Sequence, residues 1–146
     1  MLSLSQTTGY AIEALAHLNP PGGTPLLLRD VARRAGVPGA YLAKRMPDLV
    51  AAGLVQSRRG QRGGLVLARD PAEITLLQIS EAVEARRWQD CCLMGLTTCS
   101  DERHCPVHSF WKTVRPKIEK TLRTTTLASV IAHEAALKPR HGPGRA

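Results

Sequence analysis

The order of apolar and polar residues along the chain predicts a mainly helical protein. From Ser5 to Leu18 the apolar residues keep the spacing of one helix face, and a run of two prolines and two glycines ends this first helix. Two shorter apolar stripes follow, at 28–36 and 38–53, and a glycine separates them. Two short helices joined in this way predict a helix-turn-helix motif.

Two short β-type runs follow the helix-turn-helix. They are residues 54–57 and 65–68, and the connection at 58–64 contains three arginines and three glycines. Glycine lets a backbone come close to phosphates, while guanidinium groups reach into a groove. We therefore predict a winged helix-turn-helix whose basic wing contacts DNA. The competing interpretation is an ordinary solvated hairpin.

The second half of the chain predicts two further helices. A capping-box pattern at 75–78 precedes a helix that ends near 86–87. From 109 to about 123 an apolar stripe recurs every three or four residues, formed by Trp111, Val114, Ile118 and Leu122. Pro116 lies inside this stretch and predicts a kink or a later helix start. We expect the stripe to pair with a second copy in a homodimer, with folding back onto its own domain as the alternative.

Charge and composition narrow the range of partners. A formal charge of +8 and a pI of about 9.9 favour a polyanionic partner. No apolar run reaches membrane-spanning length and no signal peptide precedes the chain, so we expect a cytoplasmic protein with no membrane partner. Because no phosphate-binding glycine loop, serine-histidine-acid set or paired carboxylates can be recognised, an enzyme is not expected.

All four cysteines of the chain fall between Cys91 and His108. Thiolates and imidazoles are the ligands that soft or borderline metals and iron-sulfur clusters prefer. A disulfide framework is less favoured, because the chain is longer than the small disulfide-stapled class. This stretch therefore predicts a cofactor-binding loop.

The spacing within the loop favours an iron-sulfur cluster. Six residues separate Cys92 from Cys99 and five separate Cys99 from Cys105, whereas only the gap from Cys105 to His108 is as short as those of zinc knuckles. Three well-spaced cysteines and a different fourth ligand suit a cluster held by an irregular loop. Zinc is the alternative. A histidine ligand favours a 2Fe-2S cluster over 4Fe-4S.

The ordered set of these elements resembles the IscR/NsrR-type family of bacterial winged-helix regulators, which sense through an iron-sulfur cluster. The resemblance extends to about residue 130 and is carried by Leu4-Ser5, Tyr10-Ala11, Ala35-Gly36-Val37, Tyr41-Leu42, Ala52-Gly53-Leu54-Val55, Arg59-Gly60, Gly63-Gly64, Thr75-Leu76, the three spaced cysteines with His108, and Thr125-Thr126-Leu127. It implies a homodimer that binds a roughly palindromic double-stranded DNA operator, with the state of the cluster controlling affinity.

The same resemblance implies a set of cluster ligands. Cys92, Cys99 and Cys105 occupy the three cysteine positions, and His108 matches the histidine that is the fourth ligand in the cluster-assembly regulator of the family. Other members take a ligand from the first helix of the partner subunit, at a position where this chain has Gly9. Further candidates are Glu13, one turn later, together with Cys91 and His104.

The DNA-binding residues are expected on two elements. Helix 38–52 would enter the major groove, and the wing at 58–64 would contact phosphate or the minor groove. Pro38, Gly39, Ala40, Tyr41 and Lys44 are best placed for base edges, whereas Arg45 and Arg59 would hold the backbone. The full predicted set is Arg29, Pro38, Gly39, Ala40, Tyr41, Lys44, Arg45, Arg58, Arg59, Gln61 and Arg62.

The predicted organisation has four parts: a winged helix-turn-helix domain at 1–84, a cluster-binding loop at 85–108, a dimerisation helix at 109–132 and a flexible basic tail at 133–146. The predicted function is a transcriptional regulator that senses redox state, nitric oxide or iron-sulfur status. One alternative is a winged-helix regulator with a zinc or thiol-oxidation switch and no cluster. A more distant one is an iron-sulfur redox or carrier protein whose basic surface docks an acidic protein.

Overall fold

The computed structural model describes residues 4–84, 90–95, 98–102 and 105–137. Within these ranges the elements are α1 Gln6–Ala16, α2 Leu28–Ala35, α3 Gly39–Ala51, β1 Val55–Arg58, β2 Gly64–Leu67, a 3-10 helix Pro71–Glu73, α4 Leu76–Val83, α5 His108–Thr124 and α6 Leu127–Leu137. The mainly helical winged helix-turn-helix predicted from the sequence is confirmed. No helix in those ranges combines the length and hydropathy needed to cross a membrane.

The helix-turn-helix consists of α2 and α3. α2 ends at Gly36, which adopts the left-handed conformation at φ 64° and donates its amide back to the carbonyls of the last turn. α3 then runs through Pro47 without ending. Leu42 and Leu49 of α3 are fully buried against the core, and this leaves the opposite face of the helix outside.

The wing is an antiparallel hairpin of β1 and β2, in which Val55 pairs with Leu67 and Arg58 pairs with Gly64. An additional bridge joins Leu65 to Leu26 ahead of α2, so the hairpin is held to the helix-turn-helix. At the tip, a Cβ on Gly63 would lie 2.3 Å from the Arg58 carbonyl oxygen. Only glycine fits this tight turn, which fixes where the arginines on either side of it project.

The segment 109–132, predicted as one helix, contains two helices, and the predicted tail begins inside the second of them. α5 ends at Thr124, Thr126 forms an antiparallel bridge with Thr75, and α6 begins at Leu127. The Leu127 amide donates to the Ile74 carbonyl at 2.8 Å, and its side chain is fully buried. Residues 133–137 are therefore helical, and the remainder of the predicted tail lies outside the described residues. α6 closes the core of the winged domain because Leu127 supplies apolar surface that α5 does not.

Two other predicted boundaries differ. α5 begins at His108 and runs through Pro116, so the proline does not delay its start. α4 ends at Val83, and the predicted end at 86–87 lies outside the described residues.

The capping box at the start of α4 is confirmed: Thr75 accepts from the Gln78 amide, and the Gln78 side chain accepts from the Thr75 amide.

Candidate metal centre and nucleic-acid interface

The described parts of the cysteine segment are held by short backbone contacts. The Gly95 amide donates to the Cys92 carbonyl at 2.8 Å, and Gly95 adopts a left-handed φ of 70° to close this turn. The Cys99 amide donates to the Asp90 carbonyl at 2.9 Å, next to an isolated bridge between Cys91 and Thr98. The segment therefore doubles back on itself between α4 and α5.

The four predicted ligands form two close pairs. The sulfurs of Cys92 and Cys105 lie 3.8 Å apart, and the sulfur of Cys99 lies 3.4 Å from Nδ1 of His108. The three cysteines are half-buried and carry free thiols, and His108 is buried. Because His108 is the first residue of α5, the start of that helix orients the imidazole towards the loop.

The spacing within each pair is close to that of two donors on one tetrahedral metal. With metal bonds of about 2.3 Å to sulfur and about 2.0 Å to nitrogen, two sulfurs lie roughly 3.8 Å apart, and a sulfur and a nitrogen lie roughly 3.5 Å apart. In the described part of the chain, no group of three or more His, Cys, Asp or Glu side chains is arranged to hold a metal ion. Among the described residues, the candidate site therefore consists of donor pairs and not of a preformed set of three or four ligands.

Asp101 and Lys112 support His108 and were not predicted from the sequence. Nε2 of His108 lies 3.0 Å from Oδ1 of Asp101, and Nζ of Lys112 donates to the same oxygen at 2.7 Å. The hydrogen bond from Lys112, followed by that from His108, lowers the pKa of the Asp101 carboxyl. A carboxylate at Nε2 places the ring hydrogen there and leaves the Nδ1 lone pair facing Cys99. The sequence signal that could have indicated Lys112 is its position four residues after His108, one turn later on the same helix.

Contacts are described for two of the other candidate ligands. Cys91 offers its carbonyl to the indole N–H of Trp111 at 2.9 Å, which ties the loop to α5. Glu13 lies near Glu134 of α6, and burial followed by the charge of Glu134 raises the pKa of the Glu13 carboxyl. His104 lies outside the described residues.

The predicted DNA-binding residues lie mainly on the outside of α3 and the wing. The exposed members are Arg29, Pro38, Gly39, Ala40, Lys44, Arg58, Arg59, Gln61 and Arg62. Arg45 is half-buried and bonds to Asp48 one turn later on α3 at 2.9 Å. The exposed set contains five cationic side chains, and the amides at the start of α3 receive no side-chain cap.

Tyr41 uses its hydroxyl inside the protein. The hydroxyl donates to the Thr7 carbonyl of α1, and the ring packs edge-on against Tyr10 with centroids 5.2 Å apart. Burial is the main cause that raises the pKa of Tyr41 to about 12. The contact joins α3 to the first turn of α1, so base readout by the Tyr41 hydroxyl would require this hydrogen bond to break.

We expect a phenol titration near pH 12 that disappears in Tyr41→Phe. The folded protein favours the neutral phenol. The contribution of the buried Tyr41 phenol to the free energy of unfolding is therefore fully present below pH 10, which is the ordinary pKa of tyrosine. This contribution is lost as the pH rises towards 12. Phenolate absorbance during a pH titration, with circular dichroism to confirm folding, measures the step. Tyr10→Phe is the matched control, and a step near pH 12 that survives in Tyr41→Phe would contradict the assignment.

The end of α4 is bound to the same turn of α1. The hydroxyl of the fully buried Thr8 donates to Oε1 of Glu84 at 2.6 Å, and the N-cap residue Ser5 donates to the same oxygen. Glu84 is the residue that follows α4 and precedes the cysteine segment. The first turn of α1 therefore contacts both α3 and the chain that leads into the cysteines.

Comparisons with known proteins agree with this architecture. The profile of the Rrf2 family, described as iron-dependent transcriptional regulators, matches residues 4–133. The chain is similar to the HTH-type transcriptional regulator IscR of Serratia proteamaculans, with 31% identity over 142 residues that cover 93% of this chain and 83% of the relative. Among solved structures it is similar to CymR, the global cysteine regulator of B. subtilis, with a TM-score of 0.72, 26% identity and coverage of 91% of this chain and 98% of the other. It is also similar to IscR of T. potens, with a TM-score of 0.69, 28% identity and coverage of 98% and 94%.

Proposed function

Since the chain belongs to the Rrf2 family of iron-dependent transcriptional regulators, we propose that it binds its operator as a homodimer and senses through an iron-sulfur cluster. Its family and fold are those of DNA-binding transcriptional regulators and not of enzymes or electron carriers. The proposed ligands are Cys92, Cys99, Cys105 and His108. The observation that carries this proposal is the arrangement of these four side chains in two close pairs.

Two donor pairs suit a binuclear cluster better than a single zinc ion. A 2Fe-2S cluster contains two tetrahedral irons, and each takes two ligands from the protein. Structural zinc instead requires four donors around one centre. We assign Cys92 and Cys105 to one iron, and Cys99 and His108 to the other. When bound, the cluster would supply one-electron redox chemistry and reactivity towards nitric oxide.

Asp101 is proposed to position His108 for this role. The carboxylate holds the hydrogen on Nε2, so that Nδ1 faces the sulfur of Cys99 and would be able to bind a metal together with it. Lys112 keeps that carboxylate charged and anchors it to α5. The state of the cluster is thereby linked to the first turns of the helix that begins at His108.

Asp101→Asn should weaken cluster retention by about 10–100-fold, because the amide cannot replace the charged acceptor at Nε2. The measurements are the iron released to a chelator over time and the visible spectrum of the remaining cluster, which reports the histidine ligand directly. Glu102→Gln, a neighbouring and exposed carboxyl change, is the matched control. Equal iron release from both variants would sink the positioning role.

DNA binding is proposed for α3 and the wing. Pro38 gives the start of α3 no side-chain cap, so the first amides of the helix are available to a phosphate. The arginines at 58, 59 and 62 are exposed on either side of the tight glycine turn. Together these groups would position the duplex, while Lys44 on the outer face of α3 reaches base edges.

Dimerisation is proposed for the outer face of α5. Trp111 and Leu122, at the two ends of the predicted stripe, are buried inside the chain. Phe110 is 53% exposed, and half-buried Val114 and Ile118 follow it at intervals of four residues. This i, i+4, i+8 row is the apolar surface that a second copy would cover.

Phe110→Glu should raise the dimer dissociation constant at least about tenfold, because each interface would bury an uncompensated charge. Sedimentation velocity over a concentration series measures the change. Ser109→Glu places the same charge one residue earlier on the helix and should leave the dimer intact. If both variants remain dimeric, the interface lies elsewhere.

The hydrogen bonds of α1 offer a route from the cysteine segment to α3. Glu84, at the entrance to that segment, bonds to Thr8, and the neighbouring carbonyl of Thr7 accepts from Tyr41. If the cluster binds one arrangement of the cysteine segment more tightly than another, it increases the population of that arrangement and of the α3 position that accompanies it. The size of this shift is set by the difference between the two binding affinities.

The experiment that tests the proposed function is anaerobic purification followed by assays of iron, acid-labile sulfide and zinc per chain. The expected result is about two irons and two sulfides with negligible zinc. The cluster-loaded protein is then used to select sequences from a random duplex library, and their affinity is compared with and without the cluster. Stoichiometric zinc, or equal affinity for the selected DNA in both states, would overturn the sensing mechanism.

A further inference from the structure

We propose that Cys92 and Cys105 form a redox modification site: in cluster-free protein, a peroxide converts the pair to a disulfide that blocks cluster loading. The inference rests on the proposed function only in that the same thiols would otherwise hold the cluster. It is carried by the contact between the two sulfurs, 3.8 Å apart in the structure.

The local backbone allows this pair to close. A disulfide bond is about 2.0 Å long, so the sulfurs must approach by roughly 1.8 Å. Cys92 begins a turn closed by Gly95, and Cys105 lies in the turn before α5, where its carbonyl accepts from His108. Neither cysteine is inside a helix or a strand, and both are half-buried, so a small peroxide can reach them.

The other cysteines are less suited to this bond. The sulfur of Cys99 lies against Nδ1 of His108, which is itself held through Nε2 by Asp101. Cys91 is adjacent to Cys92 in the chain, and adjacent Cα atoms are about 3.8 Å apart, below the usual disulfide range of about 4.4–6.8 Å. A Cys91–Cys92 bond would therefore be strained.

The reaction balances with one peroxide per disulfide. The thiolate of one cysteine attacks a peroxide oxygen, an S–O bond forms, the O–O bond breaks, and hydroxide leaves and takes up a proton as water. The second thiolate then attacks this sulfur, the S–S bond forms, and the S–O bond breaks with loss of a second water. Two electrons pass from the two sulfurs to the peroxide. A small dithiol reverses the change by thiol-disulfide exchange.

The disulfide would remove one complete donor pair. Only Cys99 and His108 of the four proposed ligands would remain, so iron and sulfide could not rebuild the cluster until the bond is reduced. The oxidised chain would thus retain a record of peroxide exposure after the cluster had been lost.

The test uses full-length cluster-free protein treated with one equivalent of hydrogen peroxide, followed by alkylation and trypsin digestion without reduction. Cleavage after Arg87, Arg103 and Lys112 separates peptide 88–103, which holds three cysteines, from peptide 104–112, which holds only Cys105. We expect these peptides to be linked, with a loss of two hydrogen atoms in the intact mass and a fall from four thiols per chain to two. The link should persist in Cys91→Ser and Cys99→Ser and be absent in Cys92→Ser.

A link to Cys91 or Cys99, or oxidation to sulfinic acid without a link, would overturn the proposal. Circular dichroism on each variant confirms that folding is retained. Reconstitution with iron and sulfide should fail on the linked wild-type chain and recover after treatment with a dithiol. A chain that never holds iron yet forms the 92–105 link would refute the cluster and keep the peroxide-driven disulfide, without its effect on cluster loading. A chain that binds the cluster but does not form the 92–105 disulfide would support the cluster and refute this inference.

Discussion

Replacing Cys99 with alanine should leave the anaerobically purified protein with almost no iron and sulfide. Cys99 is half of one donor pair, and its sulfur lies 3.4 Å from the imidazole nitrogen that would complete the coordination of the same iron. Removing one thiolate leaves that iron with a single protein ligand, which cannot hold it against a chelator. The loss should appear as disappearance of the visible absorption bands and as iron and sulfide contents near zero.

Cys91→Ala is the matched control for this experiment. Cys91 is adjacent to a proposed ligand but is not one of the four, and its backbone carbonyl, which accepts from Trp111, is retained in alanine. The Cys91 variant should keep the iron and sulfide of the wild type. If Cys91→Ala lost the cluster while Cys92→Ala retained it, the first donor pair would be wrongly assigned.

Replacing Arg58, Arg59 and Arg62 together with alanine should weaken binding to all DNA sequences alike. Charge-assisted hydrogen bonds contribute about 1.5 kcal/mol each, so the expected loss is roughly tenfold for each arginine that contacts a phosphate. The slope of log affinity against log salt should fall by about 0.9 for each lost contact. Fluorescence anisotropy on specific and random duplexes over a salt series measures both quantities.

Arg123→Ala is the control for the wing. Arg123 is an exposed arginine of α5 paired with Glu119, outside the proposed DNA surface. Its removal changes the net charge without removing a wing contact, so it should leave the salt slope unchanged. A wing variant with the salt slope of the wild type would show that the hairpin is simply solvated. The single change Arg59→Ala should lower the logarithm of the affinity and the salt slope by about a third as much as the change of all three arginines.

The winged helix-turn-helix was readily predicted because its signals are local. The capping box at Thr75, the glycine that ends α2 and the arginine-glycine turn of the wing each act within a few residues. The strand boundaries shifted by a single residue, since the register depends on pairing between Arg58 and Gly64 and not on composition.

The predicted segment 109–132 extends across the boundary between α5 and α6, although the apolar stripe itself stops at Leu122. Three consecutive threonines, 124–126, were the available signal, since β-branched residues favour extended backbone over helix. The backbone of Thr125 is extended at φ −89° and ψ 125°, and this allows Thr126 to bridge to Thr75. A pairing partner 51 residues earlier is visible only in three dimensions.

The candidate ligands were predicted by residue type, but their grouping was not. Spacing and the family resemblance selected three thiols and an imidazole, whereas their division into two pairs depends on turns that bring Cys105 towards Cys92. Asp101 was missed because an exposed carboxylate in a polar loop has no distinguishing pattern. Its role follows only from its position beside Nε2 of His108.

The burial of Leu127 has a consequence for the order in which the chain is made and folded. Residues up to Glu84 leave the ribosome first, but the core they form lacks the side chain that α6 supplies. The cysteine segment emerges between the two, so the thiols are present while the core is still incomplete. Synthesis thus opens an interval in which the proposed ligands lie beside an incomplete core, and closure of α6 against α1 and the 3-10 helix ends that interval.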